Sequence, residues 1–369
     1  MTAPGGVAEL LERAVRAGRT PGAVAAWGAG GDEPAHVVAA GLARVAPCRE
    51  PAAASTWYDL ASLTKPLATG TLALLAAREG ALALDSTVGE LVPAAAGRRI
   101  ASATVRQLLA HSSGLPAWAP LYALADGPQG VVDAVLELEP SGWPDERVEY
   151  SCPSFILLGK ILEQALAAPL EAAFRERVAE PLGLAGALGF RPDPARRPIA
   201  GGAREPAVER RLCVERGADP ATVPPPADGL PDDGNARFLG GVAGNAGLFG
   251  TAAAVFRLAS QYLTTSTQIL YPNEIALATA MAAGGDGGPT RGLGWQLASS
   301  PDCSAGRALP ATAFGHTGFT GTSVWVDPRR QEVFVLLANR HHPGHRELDL
   351  HPLRRRFHAL AVSGRTPRA

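Results

Sequence analysis

Residues 59–70 read DLASLTKPLATG and place a serine and a lysine three positions apart, at Ser62 and Lys65. If this stretch opens a helix, positions i and i+3 lie on one face, so the hydroxyl of Ser62 can meet the amine of Lys65. A serine hydroxyl becomes an effective nucleophile when a base takes its proton, and a lysine whose pKa is lowered by burial can be that base. The stretch therefore predicts a serine nucleophile at a helix start.

The lysine in this stretch is unusual for the chain. Of the 34 lysine and arginine residues only two are lysines, Lys65 and Lys160. Arginine holds its proton at every usable pH and cannot act as a base. A chain that otherwise uses arginine is therefore expected to keep lysine at a position that needs a base. The four-residue pattern alone also fits a serine that caps a helix beside a solvated lysine. Asp59, three residues before Ser62, is expected to contribute to the cap.

A second candidate group lies in EYSCPSF, residues 149–155, where Tyr150 precedes a predicted helix with proline in its first turn. A tyrosine at a helix entry can relay a proton to a leaving group; the alternative is a tyrosine used only for packing. Cys152 is an alternative nucleophile, because a helix start can lower the pKa of a thiol. No histidine stands at a fixed spacing from it, which disfavours that alternative.

A third candidate lies in FGHTGFTGTSVWV, residues 314–326. His316, Thr317 and Gly318 stand at the start of a predicted hairpin. Glycine at such a position lets a substrate lie against the strand edge. The stretch therefore predicts a substrate-binding strand.

Predicted strands cluster at the two ends of the chain. Two strands with a turn between them occupy residues 22–30 and 35–45, and a hairpin with a DPRRQ turn joins residues 322–326 to 332–338. Helical patterns fill the middle, and several of them stop at glycine or proline. This order predicts an α/β (α+β) protein with one antiparallel sheet built from both termini, flanked by terminal helices, and a separate helical lobe.

The expected lobes are residues 1–60 with 285–369, which form the sheet, and residues 61–284, which are mostly helical. The active site is expected in the cleft between them. Residues 191–235 are dense in proline and glycine. A stretch of that length is either disordered or lies over a site, and the sequence leaves open whether it is a lid.

Composition excludes several classes of function. The net charge of −1 leaves no basic footprint for nucleic acid. No apolar stretch reaches the roughly 18–20 residues of a membrane span, and charges in the first 16 residues interrupt any signal-peptide core. The four cysteines lie far apart, which disfavours a zinc site or a disulfide framework. The expected location is cytoplasmic, without membrane, nucleic acid or cofactor.

The three motifs together resemble the signatures of the serine β-lactamase-related superfamily. SLTK at 62–65, YSC at 150–152 and HTG at 316–318 occur in that family's order and with its wide separations. TVRQLLAHSSGLP, PLEAAFRERVAEPLGL and GGVAGNAGLFGTAAAVFRLA resemble further stretches of it. The resemblance covers nearly the whole chain and is nearest to the class C-like and esterase branch. It implies a β-lactamase/transpeptidase-like fold.

The resemblance also implies roles for individual residues. Ser62 is then the nucleophile, and Lys65 accepts its proton directly or through Tyr150. Tyr150 serves as base or acid toward the leaving group and the deacylating water. The backbone N–H groups of Ser62 and Phe319 form the oxyanion hole. The expected substrate-binding residues are Cys152, His316, Thr317, Gly318 and Phe319.

Two positions depart from the family pattern. Cys152 replaces an amide that would bind the acyl amide of a peptide or β-lactam, and a thiol is a weak partner. His316 replaces a lysine that attracts a substrate carboxylate, and a histidine is mostly neutral at pH 7. Both changes favour an esterase-like hydrolase that forms an acyl-Ser62 intermediate with a small, less charged acyl substrate. The alternatives are a D-Ala-D-Ala carboxypeptidase or β-lactamase-type amidase, a transacylase, and a pseudoenzyme or binding module.

Other residues carry weaker expectations. His111 is expected to be structural and to fix the turn before Gly114. If His316 takes part in turnover, the rate is expected to change around pH 6–7. A group of histidines is expected to form a solvated loop rather than a metal site, namely His341, His342, His345 and His351. Five aromatic residues are candidate walls of an acyl pocket, with core packing as the alternative: Trp118, Tyr122, Trp143, Phe249 and Trp295.

Overall fold

The computed structural model describes residues 3–344 and 348–363. The strands are β1 (Gly22–Ala29), β2 (His36–Arg44), β3 (Glu50–Pro51), β4 (Tyr58–Asp59), β5 (Leu188–Phe190), β6 (Leu248–Gly250), β7 (Ala283–Gly284), β8 (Thr290–Arg291), β9 (Gln296–Leu297), β10 (Phe314–Thr317), β11 (Ser323–Asp327) and β12 (Glu332–Ala338). The α-helices are α1 (Ala3–Arg16), α2 (Thr71–Arg78), α3 (Val88–Leu91), α4 (Val105–Leu109), α5 (Leu121–Leu124), α6 (Val131–Leu136), α7 (Cys152–Ala165), α8 (Leu170–Phe174), α9 (Ala207–Glu215), α10 (Gly234–Phe238), α11 (Ala252–Ser260), α12 (Pro272–Thr279) and α13 (His351–Ser363).

Nine strands form one antiparallel sheet in the order β3-β2-β1-β12-β11-β10-β9-β8-β7. The first strand of the chain pairs with the last, so that Ala23 lies opposite Ala338 and Ala29 lies opposite Glu332. β10, which carries the HTG sequence, pairs with β11 on one side and with β9 on the other. The predicted sheet from both termini is confirmed.

Both faces of the centre of this sheet are covered, which is why β1 and β12 are almost continuously buried instead of alternating. On one face α1 packs against α13, and Leu11, Trp27 and Phe357 are buried there. On the other face α11 packs against β12 and β1. Val24 and Leu337 belong to the large core that the sheet shares with the helices. The sheet is therefore a rigid support for the strand that carries His316.

The middle of the chain is mainly helical and surrounds α7, which is buried for most of its length. A small antiparallel sheet with the order β4-β6-β5 lies within it. Gly159 of α7 and Gly244 touch backbone to backbone, and a Cβ at Gly244 would collide with the carbonyl oxygen of Phe155. This close approach brings the residue after Gly244, Asn245, to the site described below.

The predicted α/β class with an antiparallel sheet and many helices is confirmed by this architecture. The division into lobes at residues 1–60 with 285–369 and at 61–284 stays a prediction. The large sheet also takes in β7 at Ala283–Gly284, just before the expected boundary.

Residues 191–235, for which the sequence left disorder or a cover over a site open, are folded. They contain α9 and a short 3₁₀ turn at Pro220–Thr222. The backbone N–H of Asp232 donates to the carboxylate of Asp59 at 2.8 Å, so the segment contacts the chain just before Ser62. Throughout the described parts of the chain, each helix is too short or too polar to cross a membrane.

Candidate active site

The turn that presents Ser62 begins directly after β4. A 3₁₀ turn spans Ala61–Leu63, and a wider π-type segment, Lys65–Gly70, leads into α2. From the sequence, the first turn of an ordinary α-helix was expected here. Ser62 in the 3₁₀ turn and Lys65 at the start of the next segment are nevertheless in contact through their side chains. Ala61 has a φ of +48°, a left-handed backbone that is uncommon for residues other than glycine.

The side chain of Lys65 is fully buried and its Nζ contacts three groups. It donates to Oγ of Ser62 at 3.1 Å, to the carbonyl oxygen of Asn245 at 3.0 Å and to Sγ of Cys152 at 3.5 Å. Burial acts to lower the pKa of Lys65, but the attraction of Cys152 and Tyr150 outweighs it, and the pKa is raised. The expectation of a lowered lysine pKa is therefore wrong, because the chain places partners for the ammonium in the same buried space.

Tyr150 lies on the other side of the nucleophile. Its hydroxyl donates to Oγ of Ser62 at 2.7 Å, and its ring centroid lies 4.9 Å from Nζ of Lys65. Burial raises the pKa of Tyr150, while the charge of Lys65 acts to lower it, and the pKa stays above its ordinary value. The phenol, the ammonium and the serine hydroxyl thus form one hydrogen-bonded group.

His111 holds the segment that carries Tyr150. Its Nδ1 accepts a hydrogen bond of 3.0 Å from the backbone N–H of Ser151, and its ring lies 4.6 Å from that of Tyr150. Burial holds the pKa of His111 well below its usual range, which suits a ring nitrogen that accepts. The histidine is structural, as expected, but it supports the entry to α7 rather than only the turn before Gly114.

Cys152 is the first residue of α7, and its thiol is buried beside Lys65. Burial raises the pKa of this thiol, although Lys65 acts to lower it. A thiol that holds its proton is a poor nucleophile. The geometry therefore disfavours the alternative in which Cys152 attacks the substrate.

The strand end at β10 closes against the turn that carries Ser62. A Cβ at Gly318 would collide with Oγ1 of Thr322 and lie 2.7 Å from the carbonyl oxygen of Leu60. Glycine at this position therefore permits a close approach of the two backbones. The next residue, Phe319, is 41% exposed at the cleft.

His316 is 3% exposed on β10, and its Nδ1 lies 2.8 Å from the carbonyl oxygen of Thr317. The carbonyl can only accept, so Nδ1 carries the proton. Burial holds the pKa of His316 well below its usual range, and the charges of Arg291 and Lys65 lower it further. The lowered pKa disfavours His316 as the origin of a change in rate around pH 6–7, and that change stays a prediction.

Ser62 and Tyr150 open into a cleft of about 380 Å³. Three arginines line it, namely Arg291, Arg340 and Arg354, together with Asp302 and Asp349. The remaining lining residues are Gln296, His316, Thr317, Gly318, Phe319, Leu350 and His351. Of the eight residues expected at the site, all but Lys65 and Cys152 line the cleft, and those two lie directly beneath Ser62.

The five aromatic residues expected to form an acyl pocket lie elsewhere. Phe249 and Trp295 are buried in the core, and Tyr122 packs with Trp118 beside Cys213. Trp143 is 56% exposed, away from the residues that line the cleft. Packing, the alternative to a pocket wall, therefore holds for four of the five, and none of the five lines the cleft, because an aromatic residue that fills a core and one that lines a cleft look alike in sequence.

The histidine-rich stretch is also different from its prediction. His341 and His342 are buried, not solvated. His341 packs its ring against Phe319 with centroids 4.1 Å apart, and His342 accepts from the backbone N–H of Val45 through Nε2. His345 lies outside the described residues.

Two residues beside Lys65 and Tyr150 were not expected at the site from the sequence. Asn245 offers its backbone carbonyl to Lys65, and its side chain donates to Asp233 at 3.0 Å. Arg291 is buried at the cleft with its guanidinium carbon 5.8 Å from the ring centroid of Tyr150. Only Asn245 lay in a stretch noted for its family resemblance, GGVAGNAGLFG.

Comparison with known proteins assigns the class. The family model for beta-lactamases matches residues 7–359, and the chain belongs to the beta-lactamase family. It is a serine hydrolase of that family, which confirms the resemblance stated from the SLTK, YSC and HTG motifs.

The similar proteins carry names of two kinds, esterase and carboxypeptidase. The chain is 31% identical over 379 residues to esterase EstB of Burkholderia gladioli, covering 91% of this chain and 90% of that protein. It is 27% identical over 321 residues to a protein of Escherichia coli K12 named "Putative D-alanyl-D-alanine carboxypeptidase", covering 79% and 70%. Among solved structures, "EstCE1, a hydrolase with promiscuous acyltransferase activity" superposes with a TM-score of 0.76 at 22% identity over 98% of both chains. That last similarity concerns the fold.

Proposed function

We propose that this protein is an esterase that forms an acyl intermediate on Ser62. The observation that carries the proposal is the position of Oγ of Ser62, which receives hydrogen bonds from Tyr150 at 2.7 Å and from Lys65 at 3.1 Å at the base of an open cleft. A hydroxyl in contact with a base and a cation is the arrangement that activates a serine nucleophile. The nearness to an esterase by sequence supports the ester as substrate.

The proton moves through Tyr150 in this proposal. In the active form the pair of Lys65 and Tyr150 has lost one proton; the raised pKa of Lys65 leaves the remaining proton on the ammonium, so Tyr150 is the phenolate. The phenolate takes the proton of Ser62 as Oγ bonds to the ester carbonyl carbon. It returns the proton to the alcohol oxygen as the C–O bond breaks. In deacylation the phenolate of Tyr150 takes a proton from water as the water oxygen bonds to the acyl carbon. Tyr150 then gives that proton to Oγ of Ser62 as the acyl–serine bond breaks.

The negative charge on the carbonyl oxygen is held by backbone N–H groups. By family resemblance these belong to Ser62 and Phe319. The close packing of Gly318 on the carbonyl of Leu60 supports the pairing, because it ties the strand end to the turn before the nucleophile. Loss of one such donor typically costs about 10²–10³ in rate.

The preference for esters over amides comes from Cys152. Its thiol points at Lys65, whereas the family carries an amide group there that can bind an acyl amide. A thiol donates and accepts weakly, so a peptide substrate loses a hydrogen bond that an ester does not need. A cytoplasmic location stays a prediction from the sequence, which fractionation of expressing cells would test.

A nitrophenyl acetate assay combined with a fluorophosphonate label tests the proposal. The wild type is expected to release nitrophenol with an initial burst and to be labelled on Ser62, and Ser62→Ala is expected to lose both. A wild-type protein that takes no label and releases no nitrophenol would instead be a binding module. Ser62→Ala at wild-type activity would place the nucleophile elsewhere.

A second candidate, an amidase for substrates with a carboxylate, is favoured by one observation. The guanidinium of Arg291 lines the cleft near Tyr150, and its buried Nε has no hydrogen-bond partner in the described part of the chain. It could supply the cation that His316 does not. Release of D-alanine from an acyl-D-Ala-D-Ala peptide would support this candidate, and that release should fall about tenfold or more in Arg291→Gln. Hydrolysis of nitrophenyl acetate without any release of D-alanine from the peptide would exclude the amidase candidate.

A further inference from the structure

The carboxylate of Asp59 joins two parts of the chain that approach the nucleophile from different sides. Its Oδ1 accepts from the backbone N–H of Ala61 at 2.8 Å, and its Oδ2 accepts from the backbone N–H of Asp232 at 2.8 Å. Asp59 is 8% exposed. A cap of the turn was expected from the sequence, but the second bond, to a residue 173 positions away, was not.

The backbone around Asp59 is also tied to the strand end at β10. The hydroxyl of Thr320 donates to the carbonyl oxygen of Asp59 at 2.8 Å, and the hydroxyl of Thr322 donates to that of Leu60 at 3.1 Å. Thr320 follows Phe319 directly. The residues that carry both proposed oxyanion donors are therefore connected through the main chain at Asp59 and Leu60.

The turn needs such support because its backbone is strained. Ala61 has a φ of +48°, a left-handed backbone that is unfavourable for alanine unless its surroundings hold it. The N–H of Ala61 is held by Oδ1 of Asp59. Ser62 follows directly, so the direction of its own N–H depends on that bond.

Burying the acidic side chain of Asp59 is energetically unfavourable, which indicates that the carboxylate has a function at this position. A buried carboxylate is unfavourable unless its oxygens find donors. Burial raises the pKa of Asp59 to about 7, and the charge of the neighbouring Asp232 contributes. The titratable groups around it are Asp232 and Asp233 from the segment before α10, and His341, whose Nδ1 lies 3.6 Å from Oδ2 of Asp232.

We propose that Asp59 is a positioning residue for acylation, whose ionised carboxylate locks the turn before Ser62 to the segment at Asp232 and so aligns the oxyanion donors. The inference rests on the proposed role of Ser62. When Asp59 gains a proton, one oxygen becomes a donor that faces an N–H, and one of the two bonds is lost. Acylation should therefore slow as the pH falls through about 7.

The variant Asp59→Asn tests this inference. The amide keeps the shape but can accept at only one oxygen, so its NH₂ group faces an N–H donor. We expect the rate constant of Ser62 acylation to fall about 10²-fold, the lower end for loss of an oxyanion donor, with KM unchanged. The additional loss of rate below pH 7 that we expect in the wild type, beyond the slope set by the pair of Lys65 and Tyr150, should disappear.

Asp327→Asn is the matched control. Asp327 is fully buried, and its Oδ1 accepts from the backbone N–H groups of Arg329 and Arg330 in the hairpin after β11, away from the cleft. It should lower the melting temperature and leave acylation unchanged. If Asp59→Asn does not fold, Thr320→Val replaces it and should also lower the acylation rate constant with KM unchanged.

The inference would be overturned if Asp59→Asn acylated Ser62 at the wild-type rate. The same holds for Thr320→Val where that variant is used instead. Equal losses of rate in Asp59→Asn and Asp327→Asn would also overturn it. A break in the pH profile near 7 that persists in Asp59→Asn, beyond the slope set by the pair of Lys65 and Tyr150, would not come from Asp59 and would also overturn the inference. Glu209, whose pKa is also raised to about 7, would then be the group to test. If Ser62 takes no label in the wild type, the proposed function fails first, and the positioning role with it.

Discussion

The phenol oxygen of Tyr150 lies 2.7 Å from Oγ of Ser62, nearer than Nζ of Lys65 at 3.1 Å. Both groups donate to the same oxygen, but their tendencies to lose a proton differ. The pKa of Lys65 is raised by its buried neighbours, so the ammonium is a fixed charge beside the phenol. In the proposed mechanism Tyr150 therefore transfers the proton, and Lys65 supports it electrostatically.

Removing the phenol oxygen tests that assignment. Tyr150→Phe should lower kcat/KM for a nitrophenyl ester by about 10²–10⁴, because the group that takes the serine proton is lost while the ring still fills its space. Tyr122→Phe is the control, since Tyr122 is also buried and hydrogen-bonded, to Cys213 at 3.1 Å, but lies away from the cleft. Equal rates in Tyr150→Phe and wild type would exclude Tyr150 as the base.

The rate of ester hydrolysis should be higher at alkaline pH than at neutral pH. In the proposed mechanism the active form has lost one proton from the pair of Lys65 and Tyr150, and the pKa of each group is raised. Activity should therefore increase as the pH rises above neutral. Measurement of kcat/KM between about pH 6 and 10 would show the limb. A rate that is constant across the alkaline range would contradict the shared-proton model.

Substitutions of Lys65 separate its charge from its shape. The charge of Lys65 lowers the pKa of Tyr150, so Lys65→Met should move the alkaline limb to higher pH. Lys65→Arg keeps the charge but cannot place a guanidinium where Nζ meets three partners, and it should lose several orders of magnitude in acylation while the limb stays in place. Lys160→Met, which removes the other lysine of the chain, should change neither property. An unshifted limb in Lys65→Met would show that Lys65 does not act on Tyr150.

Local pattern was enough to predict part of the site. Ser62 and Lys65 lie one turn apart, and a spacing of three residues places them together in an α-helix or a 3₁₀ turn. Tyr150 and the HTG strand are 88 and more residues away, and their approach to Ser62 could be expected only from the family resemblance. The terminal sheet was predictable because its strands are continuous apolar runs that end at clear turns.

The remaining features depend on tertiary packing. Asn245 contacts Lys65 through a backbone carbonyl, which every residue has, so no side-chain pattern marks it. Arg291 reaches the cleft from a two-residue strand, one of many arginines in the sequence. The direction of the pKa shift of Lys65 is a balance between burial and the charges of neighbours, and those neighbours are distant in sequence.

Restoring an amide at position 152 should change the preference between substrates. Cys152→Asn introduces a group that can hydrogen-bond an acyl amide, so the ratio of amide to ester hydrolysis should rise about tenfold. Parallel assays of a nitroanilide and the matching nitrophenyl ester measure this ratio. Cys48→Asn, the same change at an exposed thiol, should leave it unaltered. If the ratio also stays constant in Cys152→Asn, the thiol does not determine the preference for esters.

A methyl group at Gly318 should damage the oxyanion hole without removing any functional group. The Cβ would collide with Oγ1 of Thr322 and press on the carbonyl oxygen of Leu60, so the backbone has to move apart there. That movement displaces the N–H of Phe319 from the turn that carries Ser62. Gly318→Ala should therefore lower kcat by about 10²–10³, as loss of one donor does.

Gly186→Ala is the control for Gly318→Ala, because a Cβ at Gly186 meets no atom within 4 Å. It should keep the wild-type rate and melting temperature. Burst kinetics with a nitrophenyl ester separate the effect on acylation from the effect on deacylation in both variants. Since both steps pass through an oxyanion, Gly318→Ala should slow both of them. A normal kcat in Gly318→Ala would mean that the N–H of Phe319 is not an oxyanion donor. The second hydrogen bond to the oxyanion would then come from another group.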